Sequence, residues 1–374
     1  MSESSPLLEL ERNCGGRLQT DQSGRLAVAD FGNPRAEYQA AQTEAALFDL
    51  GDRSQVEVTG RDGQKFLHNF CTNEIRGLQP GQGCEAFVTN IQGKVLGHIF
   101  VFVTPHSIWI DSVPGSGQKL ISHLSKYAIT EDVEFHSWAG EWAGAAGDST
   151  GEWGELFVSG PESAARLAGL SGDLGELRPY GHGAGGVANY PLFTRRVDLL
   201  GQPGYYLVCR REGLVRLWQQ LANLGFRPSG FEAFHGLRIE ARMPLYGLDI
   251  NEDNLAQEVG RTSQAISFTK GCYLGQEPIA RIHALGHVNQ ELRGLRLSRD
   301  GGTGEDPPVL IPAPGTPVLA RGETKEIGRV TSSGFSYAGD CVVALAYLRR
   351  NYLAAGSEVI VKIGERELAA TVFC

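Results

Sequence analysis

Residues 268–277 of the chain read Phe268-Thr269-Lys270-Gly271-Cys272-Tyr273-Leu274-Gly275-Gln276-Glu277, the densest cluster of chemically active side chains in the sequence. An apolar approach over residues 265–268 precedes the cluster. If that approach is a strand, Lys270 and Cys272 project from the same face. Because a lysine ammonium beside a thiol favours the reactive thiolate, Cys272 becomes the candidate working thiol and Lys270 the residue that tunes it.

Glycines and a proline surround that cysteine. Pro278 suits the first turn of a helix capped by Glu277, and Gly286 suits the end of that helix. Cys272 would then lie in a loop ahead of a helix N-terminus, where flanking glycines let a ligand approach the backbone closely. Taken alone, the local pattern favours a plainer interpretation, in which Cys272 is a small buried hydrophobe and the glycines only form a turn.

On both sides of the motif, short helices and strands alternate without a regular β–α–β rhythm, which favours an α+β fold. The patterns predict helices over 35–48, 214–224 and 231–241 and a hairpin over 192–197 and 204–208. From Leu292 onward, short strands with Gly and Pro turns predict an all-β barrel or sandwich beyond a boundary near Gly286.

Composition excludes several function classes. The 374 residues suggest about two or three domains, and a net charge of −9 without a Lys/Arg run argues against direct nucleic-acid binding. Seven cysteines without a Cys-x-x-Cys pair indicate reduced thiols in a cytosol-like compartment and no metal site. The start lacks a secretory pattern, and no apolar run approaches the roughly 20 residues that span a bilayer. We therefore expect a cytoplasmic protein without a membrane partner.

The string KGCYLGQE at 270–277 resembles the signature of the YgfZ-type branch of the glycine-cleavage T-protein (aminomethyltransferase, GcvT) superfamily. Residues 46–51 resemble the family's "GLFDLS" segment, and residues 237–247 resemble "L-R-L-E-A-G-M-x-L-Y-G" closely. Thr89 and Asn90, followed by a glycine, match a "T-N-x-x-G" turn. The resemblance continues into the C-terminal part and leaves only the first thirty residues and the Gly-rich middle unmatched.

The resemblance implies a three-lobed ring around a central channel that holds a reduced folate such as tetrahydrofolate. Residues 30–286 would form the folate-binding region, as two interleaved α+β lobes, and residues 287–374 the C-terminal β-barrel. The pteridine would pack against apolar and aromatic walls, with a few polar groups fixing its orientation. The implied cofactor-binding residues are Arg238, Glu240, Tyr246, Thr89, Asn90, Gly271, Gly275, Gln276 and Glu277.

The anionic glutamate tail of a folate needs a cationic or backbone partner, and Arg238 and Lys270 are the candidates. For Arg238 a helix-surface salt bridge with Glu240 or Glu232 is an equal alternative.

The sequence departs from the true T-proteins where those proteins carry two adjacent aspartates in "G-G-x-x-D-D". The aspartates fall on Gly97 and His98 here. One of them is the carboxylate expected to assist attack by the folate nitrogen, and neither glycine nor a mostly neutral histidine replaces it. His98 is open to two interpretations, a base near pH 7 or a strand histidine facing a polar interior.

A second departure lies in the hairpin that the family writes "R-T-G-Y-T-G-E-x-G-F-E". The glutamates fall on Gln202 and Tyr206, which accept hydrogen bonds differently from a carboxylate. We therefore expect altered or weaker folate binding, with Asp198 as a candidate replacement.

His283 and His287 are four apart, but Gly286 separates them and no third metal ligand is visible.

The resemblance thus implies a folate-binding protein that supports iron–sulfur cluster assembly or repair in client enzymes, including tRNA-modifying ones. In that role Cys272 is the working thiol and folate is a ligand. The alternative activity is a tetrahydrofolate-dependent aminomethyltransferase or related one-carbon transferase, against which the missing aspartates speak. A scaffold that has lost folate is the third hypothesis.

Overall fold

The computed structural model describes residues 5, 7–20, 26–51, 53–138, 153–171, 177–187, 190–298 and 310–374. The helices within these ranges are α1 (Leu8–Asn13), α2 (Pro34–Thr43), α3 (Gly63–Phe70), α4 (Gly117–Leu124), α5 (Ser163–Ser171), α6 (Leu214–Asn223), α7 (Phe231–Glu240), α8 (Thr262–Ala265) and α9 (Gln276–Leu285). In the part of the chain that is described, no helix is long and apolar enough to cross a bilayer.

The strands are mostly short. They are β1 (Arg17–Thr20), β2 (Leu26–Asp30), β3 (Ala46–Asp49), β4 (Ser54–Thr59), β5 (Gly83–Thr89), β6 (Val95–Val103), β7 (Ile108–Ser112), β8 (Glu134–Ser137), β9 (Trp153–Ser159), β10 (His182–Val187), β11 (Tyr190–Arg196), β12 (Gly204–Arg210), β13 (Arg227–Pro228), β14 (Gln290–Leu297), β15 (Pro317–Ala320), β16 (Glu326–Ser336), β17 (Cys341–Arg349), β18 (Glu358–Ile363) and β19 (Arg366–Phe373).

Two sheets face each other across an aromatic core. One has the order β5-β6-β7-β4-β8 and the other the order β10-β11-β12-β9-β3-β13. Side chains alternate along each strand, so Phe100 and Phe102 of β6 enter the shared core while Ile99 packs into a separate core with α3 and α4. Across the gap, Phe157 of β9 and Tyr206 of β12 enter the same aromatic core. The two sheets therefore hold one layer of rings between them.

The C-terminal part closes into an antiparallel barrel of order β14-β17-β16-β15-β18-β19. Helix α7 of the N-terminal part packs directly on it, because a Cβ on Gly236 would lie 2.5 Å from the carbonyl oxygen of Phe335. Only a residue without a side chain permits that approach. The barrel thus fixes the position of α7, which also borders the aromatic core.

The predicted α+β fold with an all-β C-terminal part is confirmed, as are the helix at 214–223, the helix at 231–240 and the hairpin of β11 and β12. The predicted helix over 35–48 is wrong in its second half, where residues 46–49 form β3. Phe48 packs into the aromatic core and Leu47 into the core on the opposite face of the sheet. A chain buried on both faces in this way is typical of a central strand. The predicted division near residue 286 stays a prediction; β14 begins at Gln290.

Candidate functional site

Residues 266–275, between α8 and α9, form a loop that we call the motif loop. Lys270 anchors this loop to helix α3. Its Nζ is buried and donates to the main-chain carbonyls of His68, Cys71 (2.6 Å) and Asn73 (2.9 Å). The last carbonyls of a helix lack partners within the helix and attract cations, so the end of α3 supplies a ready site for the ammonium. Three acceptors match the three donors of an ammonium group. Lys270 is therefore a clamp that holds the loop in place.

Cys272, two residues further on, is exposed. The prediction that the approach is a strand and that Lys270 faces the thiol is wrong, because residues 262–265 form the short helix α8 and Ser267 bonds to the Thr72 carbonyl. The plainer interpretation of Cys272 as a buried hydrophobe is also wrong. The thiol lies at the surface, and the N–H groups of the buried Lys270 ammonium donate to main-chain carbonyls and not to the thiol.

Gly275 and the turn after β5 join the motif loop to the first sheet. A Cβ on Gly275 would lie 2.4 Å from the Asn90 carbonyl oxygen, and Gly275 has φ +83°. The Thr89 hydroxyl donates to the Leu274 carbonyl at 2.8 Å. The Asn90 side chain accepts from the main-chain amides of Gln92 and Lys94. Three predicted folate contacts, Thr89, Asn90 and Gly275, are thus engaged within the protein.

Helix α9 starts two residues earlier than predicted. Gly275, not Glu277, occupies the N-cap, and Gly286 ends the helix with φ +72°. Gly271 and Glu277 are exposed, and Gln276 is half-buried in the first turn of α9, so the role of these three residues as ligand contacts stays a prediction. The ring of His283 stacks on Phe268 with centroids 3.7 Å apart. Within the described ranges no group of three metal-ligating side chains occurs.

Arg238 is wholly buried, so the predicted helix-surface salt bridge is wrong, whereas its predicted role as a folate contact stays a prediction. Its Nη1 donates to the Asp249 carboxylate at 2.6 Å and to the Met243 carbonyl at 3.1 Å. The same carboxylate accepts from the hydroxyls of Thr331 (2.5 Å) and Ser332 (2.7 Å) on the barrel. Burial alone would raise the pKa of Asp249, but Arg238 and these hydrogen bonds hold it below its usual value. Arg238 therefore joins α7 to the barrel through Asp249, and it also lines the central cavity described below.

Two other predicted folate contacts are separate from the motif loop. Glu240 accepts a hydrogen bond from the Tyr38 hydroxyl. Tyr246 is half-buried beneath Lys119, whose Nζ lies 5.6 Å from the ring centroid. Lys119 also borders a surface cleft of about 460 Å³ along α4.

A small central cavity lies between the two sheets, α7 and residues 243–245. Its lining includes the rings of Phe100, Tyr206 and Phe234 and the side chains of Arg53 and His98. Among the described residues, the buried hydroxyl of Tyr206 has no hydrogen-bond partner, which is uncommon for a buried polar atom. Aromatic walls with one unsatisfied polar atom suit a flat heterocycle.

The volume of that cavity is too small for a flat heterocycle. It measures about 20 Å³, room for about one water molecule, whereas ligand pockets usually exceed about 300 Å³. The residues present therefore have suitable chemistry for a pteridine but, in this arrangement, do not accommodate it. Tyr206 is one of the side chains that fill the space.

His98 faces this cavity and Gly97 does not. A Cβ on Gly97 would lie 2.7 Å from Leu120 Cδ2, on the side of the sheet covered by α4. His98 Nε2 lies 2.8 Å from a carboxylate oxygen of Glu85 on the neighbouring strand. The imidazole of His98 is thus already paired with a carboxylate, which supports the strand-histidine interpretation.

Glu85 is a buried carboxylate that sequence reasoning missed. It accepts from the Tyr180 hydroxyl at 2.8 Å and from Arg261 Nε at 2.9 Å, in addition to His98. Burial alone would raise the pKa of Glu85, but Arg261 and His98 hold it well below the usual range. No local motif marks Glu85, because its partners come from three distant segments.

A second buried network lies beside Tyr206 and was also missed. Arg53 Nε donates to Asp111 at 2.7 Å, and Arg195 donates to the Gln55 amide oxygen at 2.6 Å. Burial and the neighbouring Asp111 raise the pKa of Glu155 well above its usual value. The Arg53 guanidinium carbon lies 4.9 Å from the Tyr206 ring centroid, which brings a cation close to the cavity wall.

Asp198 does not replace the family glutamates. It is exposed, pairs with Arg196 at 3.1 Å and accepts from the amide of Gly204. Gln202 lies half-buried in the same turn. Both residues belong to the hairpin turn and not to the cavity lining.

Comparison with known proteins agrees with this architecture. The family model "GCVT N-terminal domain" matches residues 29–270, and "glycine cleavage T-protein C-terminal barrel domain" matches residues 291–374. An aminomethyltransferase of Rippkaea orientalis is 28% identical, with 98% of this chain and 95% of that protein covered. A putative chloroplastic transferase of Arabidopsis thaliana is 26% identical over 93% of this chain and 74% of its own length.

Among solved structures, the glycine cleavage system aminomethyltransferase T of Bartonella henselae superposes with a TM-score of 0.85 at 21% identity. The alignment covers 100% of this chain and 97% of that one, which confirms the predicted T-protein fold. Since one family model spans more than half of the sequence and a second matches the barrel, the chain belongs to the GcvT (glycine-cleavage T-protein) family.

Proposed function

We propose that this chain is a cytoplasmic YgfZ-type accessory protein that supports iron–sulfur cluster assembly or repair in client enzymes, including tRNA-modifying ones. The observation that carries the proposal is the exposure of the Cys272 thiol within the string KGCYLGQE. Lys270 holds the loop that carries this thiol by hydrogen bonds to main-chain carbonyls at the end of α3. A thiol on a rigid base reaches a partner without local unfolding. No disulfide joins cysteines of the described residues, as expected in a reducing compartment.

The client experiment tests the thiol directly. In cells lacking this protein, Cys272→Ser should fail to restore the activity of a cluster-dependent tRNA-modifying enzyme. Cys14→Ser and Cys374→Ser are matched controls, since both residues are exposed cysteines outside the motif, and they should restore it. Full rescue by the Cys272 variant would remove the thiol from the proposal.

Reduced folate enters the proposal as a ligand and not as a consumed carrier. The aromatic lining and the unsatisfied Tyr206 hydroxyl support binding, provided that the cavity widens beyond about 20 Å³. Calorimetric titration with tetrahydrofolate under anaerobic, reducing conditions should give saturable one-site binding. Tyr206→Phe should weaken it, whereas Tyr205→Phe should not, because Tyr205 packs into the core on the opposite face of the sheet. No binding at millimolar ligand would favour the scaffold hypothesis.

A second candidate is aminomethyl transfer to tetrahydrofolate. Relatives named aminomethyltransferase align along nearly the whole chain, and the buried Glu85 carboxylate lies against His98. Incubation with tetrahydrofolate and an aminomethyl-lipoyl carrier tests it. Methylene-tetrahydrofolate formed at enzymatic turnover, and lost in Glu85→Gln, would put this activity first.

A further inference from the structure

The surface cleft along α4, which we call the α4 cleft, has no residue of the motif loop in its lining. Its volume is about 460 Å³, within the range of about 300–1,000 Å³ that is usual for ligand pockets. The cleft is lined by Leu96, Gln118, Lys119, Leu120, Ser122, His123, Lys126 and Glu252. The lining therefore combines basic and polar side chains with two leucines.

The basic side chains of the cleft follow one face of the helix. Lys119, His123 and Lys126 are spaced i, i+4 and i+7, which places them in one row along α4 and the turn after it. A separation of seven residues corresponds to roughly 10 Å along a helix axis. The two lysines therefore present two separate cations and not one concentrated charge.

The two lysines differ in their partners. Lys126 is exposed, and no hydrogen bond or ion pair joins it to another described residue. Lys119 pairs with Glu252, and its Nζ lies 3.5 Å from the Tyr246 hydroxyl. The side chains of Lys119 and Glu252 are 49% and 54% exposed, so water weakens their attraction and a ligand can compete for the ammonium.

His123 adds a polar group to the cleft but no charge. Burial and the neighbouring Lys126 lower the pKa of His123, so the imidazole is neutral near pH 7. Its Nε2 is buried and has no hydrogen-bond partner within the described ranges, which is uncommon for a buried polar atom. Two ammonium groups against the carboxylate of Glu252 leave the lining net positive.

The spacing of the cations selects among anionic ligands. A compact phosphate is held best by donors that converge on one point, and lysines roughly 10 Å apart do not converge. An elongated ligand with acid groups at intervals along a carbon chain can reach both ammonium groups. The carbon chain between its acid groups can pack against Leu96 and Leu120.

We propose that the α4 cleft binds an elongated oligocarboxylate, with one carboxylate on Lys119 and another on Lys126. The site goes beyond the proposed function, because it requires neither the Cys272 thiol nor a ligand in the central cavity. A chain of γ-linked glutamates has this chemistry, whether it is free or attached to a folate.

The α4 cleft is next to the central cavity along two segments of the chain. On β6, Leu96 lines the cleft and His98 lines the cavity. Leu245 lines the cavity, and the ring of the adjacent Tyr246 lies beneath Lys119. Two sources of the oligocarboxylate therefore fit the geometry. One is the tail of a folate whose pteridine occupies the widened cavity, and the other is a free oligocarboxylate.

Calorimetric titration of the full chain with tri-γ-glutamate at low ionic strength tests the site. We expect saturable binding that Lys119→Met and Lys126→Met each weaken about three- to fivefold, as for partly exposed charge pairs. Lys65→Met, at an exposed lysine of α3, is the matched control and should leave the affinity unchanged. Glu252→Gln removes the carboxylate that competes for Lys119 and should tighten binding, a gain that damage to the fold would not produce.

Absence of saturable binding, or equal affinity of wild type, Lys126→Met and Glu252→Gln, would overturn the site. Tetrahydrofolate with one or with five glutamates identifies the source of the ligand. Tighter binding of the pentaglutamate that is lost in Lys126→Met assigns the cleft to the folate tail, and equal binding of the two folates assigns it to a free oligocarboxylate. If neither folate binds, the folate part of the proposed function fails, and the tri-γ-glutamate titration still decides this site.

Discussion

The motif loop and the central cavity place their buried charges differently. At the motif loop one cation, Lys270, donates to main-chain carbonyls, and the thiol beside it lies at the surface. In the cavity region, arginines and carboxylates pair with each other around a space of about 20 Å³. The loop thus presents its thiol at the surface without opening, whereas a ligand of the cavity must first displace side chains.

The largest effect should come from the buried Arg238–Asp249 pair, which borders the cavity and is separate from the motif loop. Arg238→Leu leaves the buried Asp249 without its cation and should lower the free energy of unfolding by about 3–5 kcal/mol. Chemical denaturation measures this. Arg216→Leu on the exposed face of α6 is the control and should cost little. Equal stability of the two variants would contradict the role assigned to Arg238.

Next in size is the clamp of the motif loop. Lys270→Met removes three donors from the end of α3 and should lower the free energy of unfolding by about 2–3 kcal/mol. The control is Lys65→Met, an exposed lysine on the same helix. Denaturation curves that superpose would show that the loop is held by other contacts, and the contrast with the cavity would be lost.

A pH experiment sharpens the description of the cavity. The pKa of Glu85 is held far below its usual value of 4.5, so its pairing stabilises the fold above about pH 4.5 and is lost as the pH falls below that value. Glu85→Gln should be less stable at pH 7 and should lose stability less steeply below about pH 4.5. Urea denaturation at a series of pH values measures both, with the exposed Glu277→Gln as control. Parallel curves for Glu85→Gln and wild type would contradict the pairing.

The smallest effect belongs to the motif thiol. Cys272→Ser should change the free energy of unfolding by less than about 0.5 kcal/mol, because the side chain is exposed. Cys71→Ser, which places a hydroxyl in the core against α3, should cost about 1–3 kcal/mol. Differential scanning calorimetry distinguishes the two. A large loss in Cys272→Ser would mean that the thiol is part of the fold.

Local signals predicted a good part of this fold. The amphipathic period at 214–223, the hairpin at 190–210 and the short alternating strands of the barrel depend on neighbours in sequence, and they were predicted from it. The strand at 46–49 was not, because its apolar run continues a helical pattern and only burial on both faces makes it a strand.

The site was harder to predict because its contacts join distant segments. Lys270 binds carbonyls 197 to 202 residues away, and Asp249 binds the barrel 82 and 83 residues away. The motif therefore marked Cys272 and Lys270, but the direction inferred for their side chains was wrong, because residues 265–268 do not form a strand. Glu85 carried no signal, since it becomes noticeable only through the partners that folding supplies.

The barrel hydroxyls on Asp249 have a consequence for how this protein changes over evolutionary time. Thr331 and Ser332 complete a polar centre whose other members lie in the N-terminal part. A gene fusion that exchanged the barrel for an unrelated module would leave the buried Asp249 carboxylate with two hydrogen bonds fewer. We therefore expect a chimeric protein to keep its stability only where the incoming barrel brings hydroxyls at the same two positions.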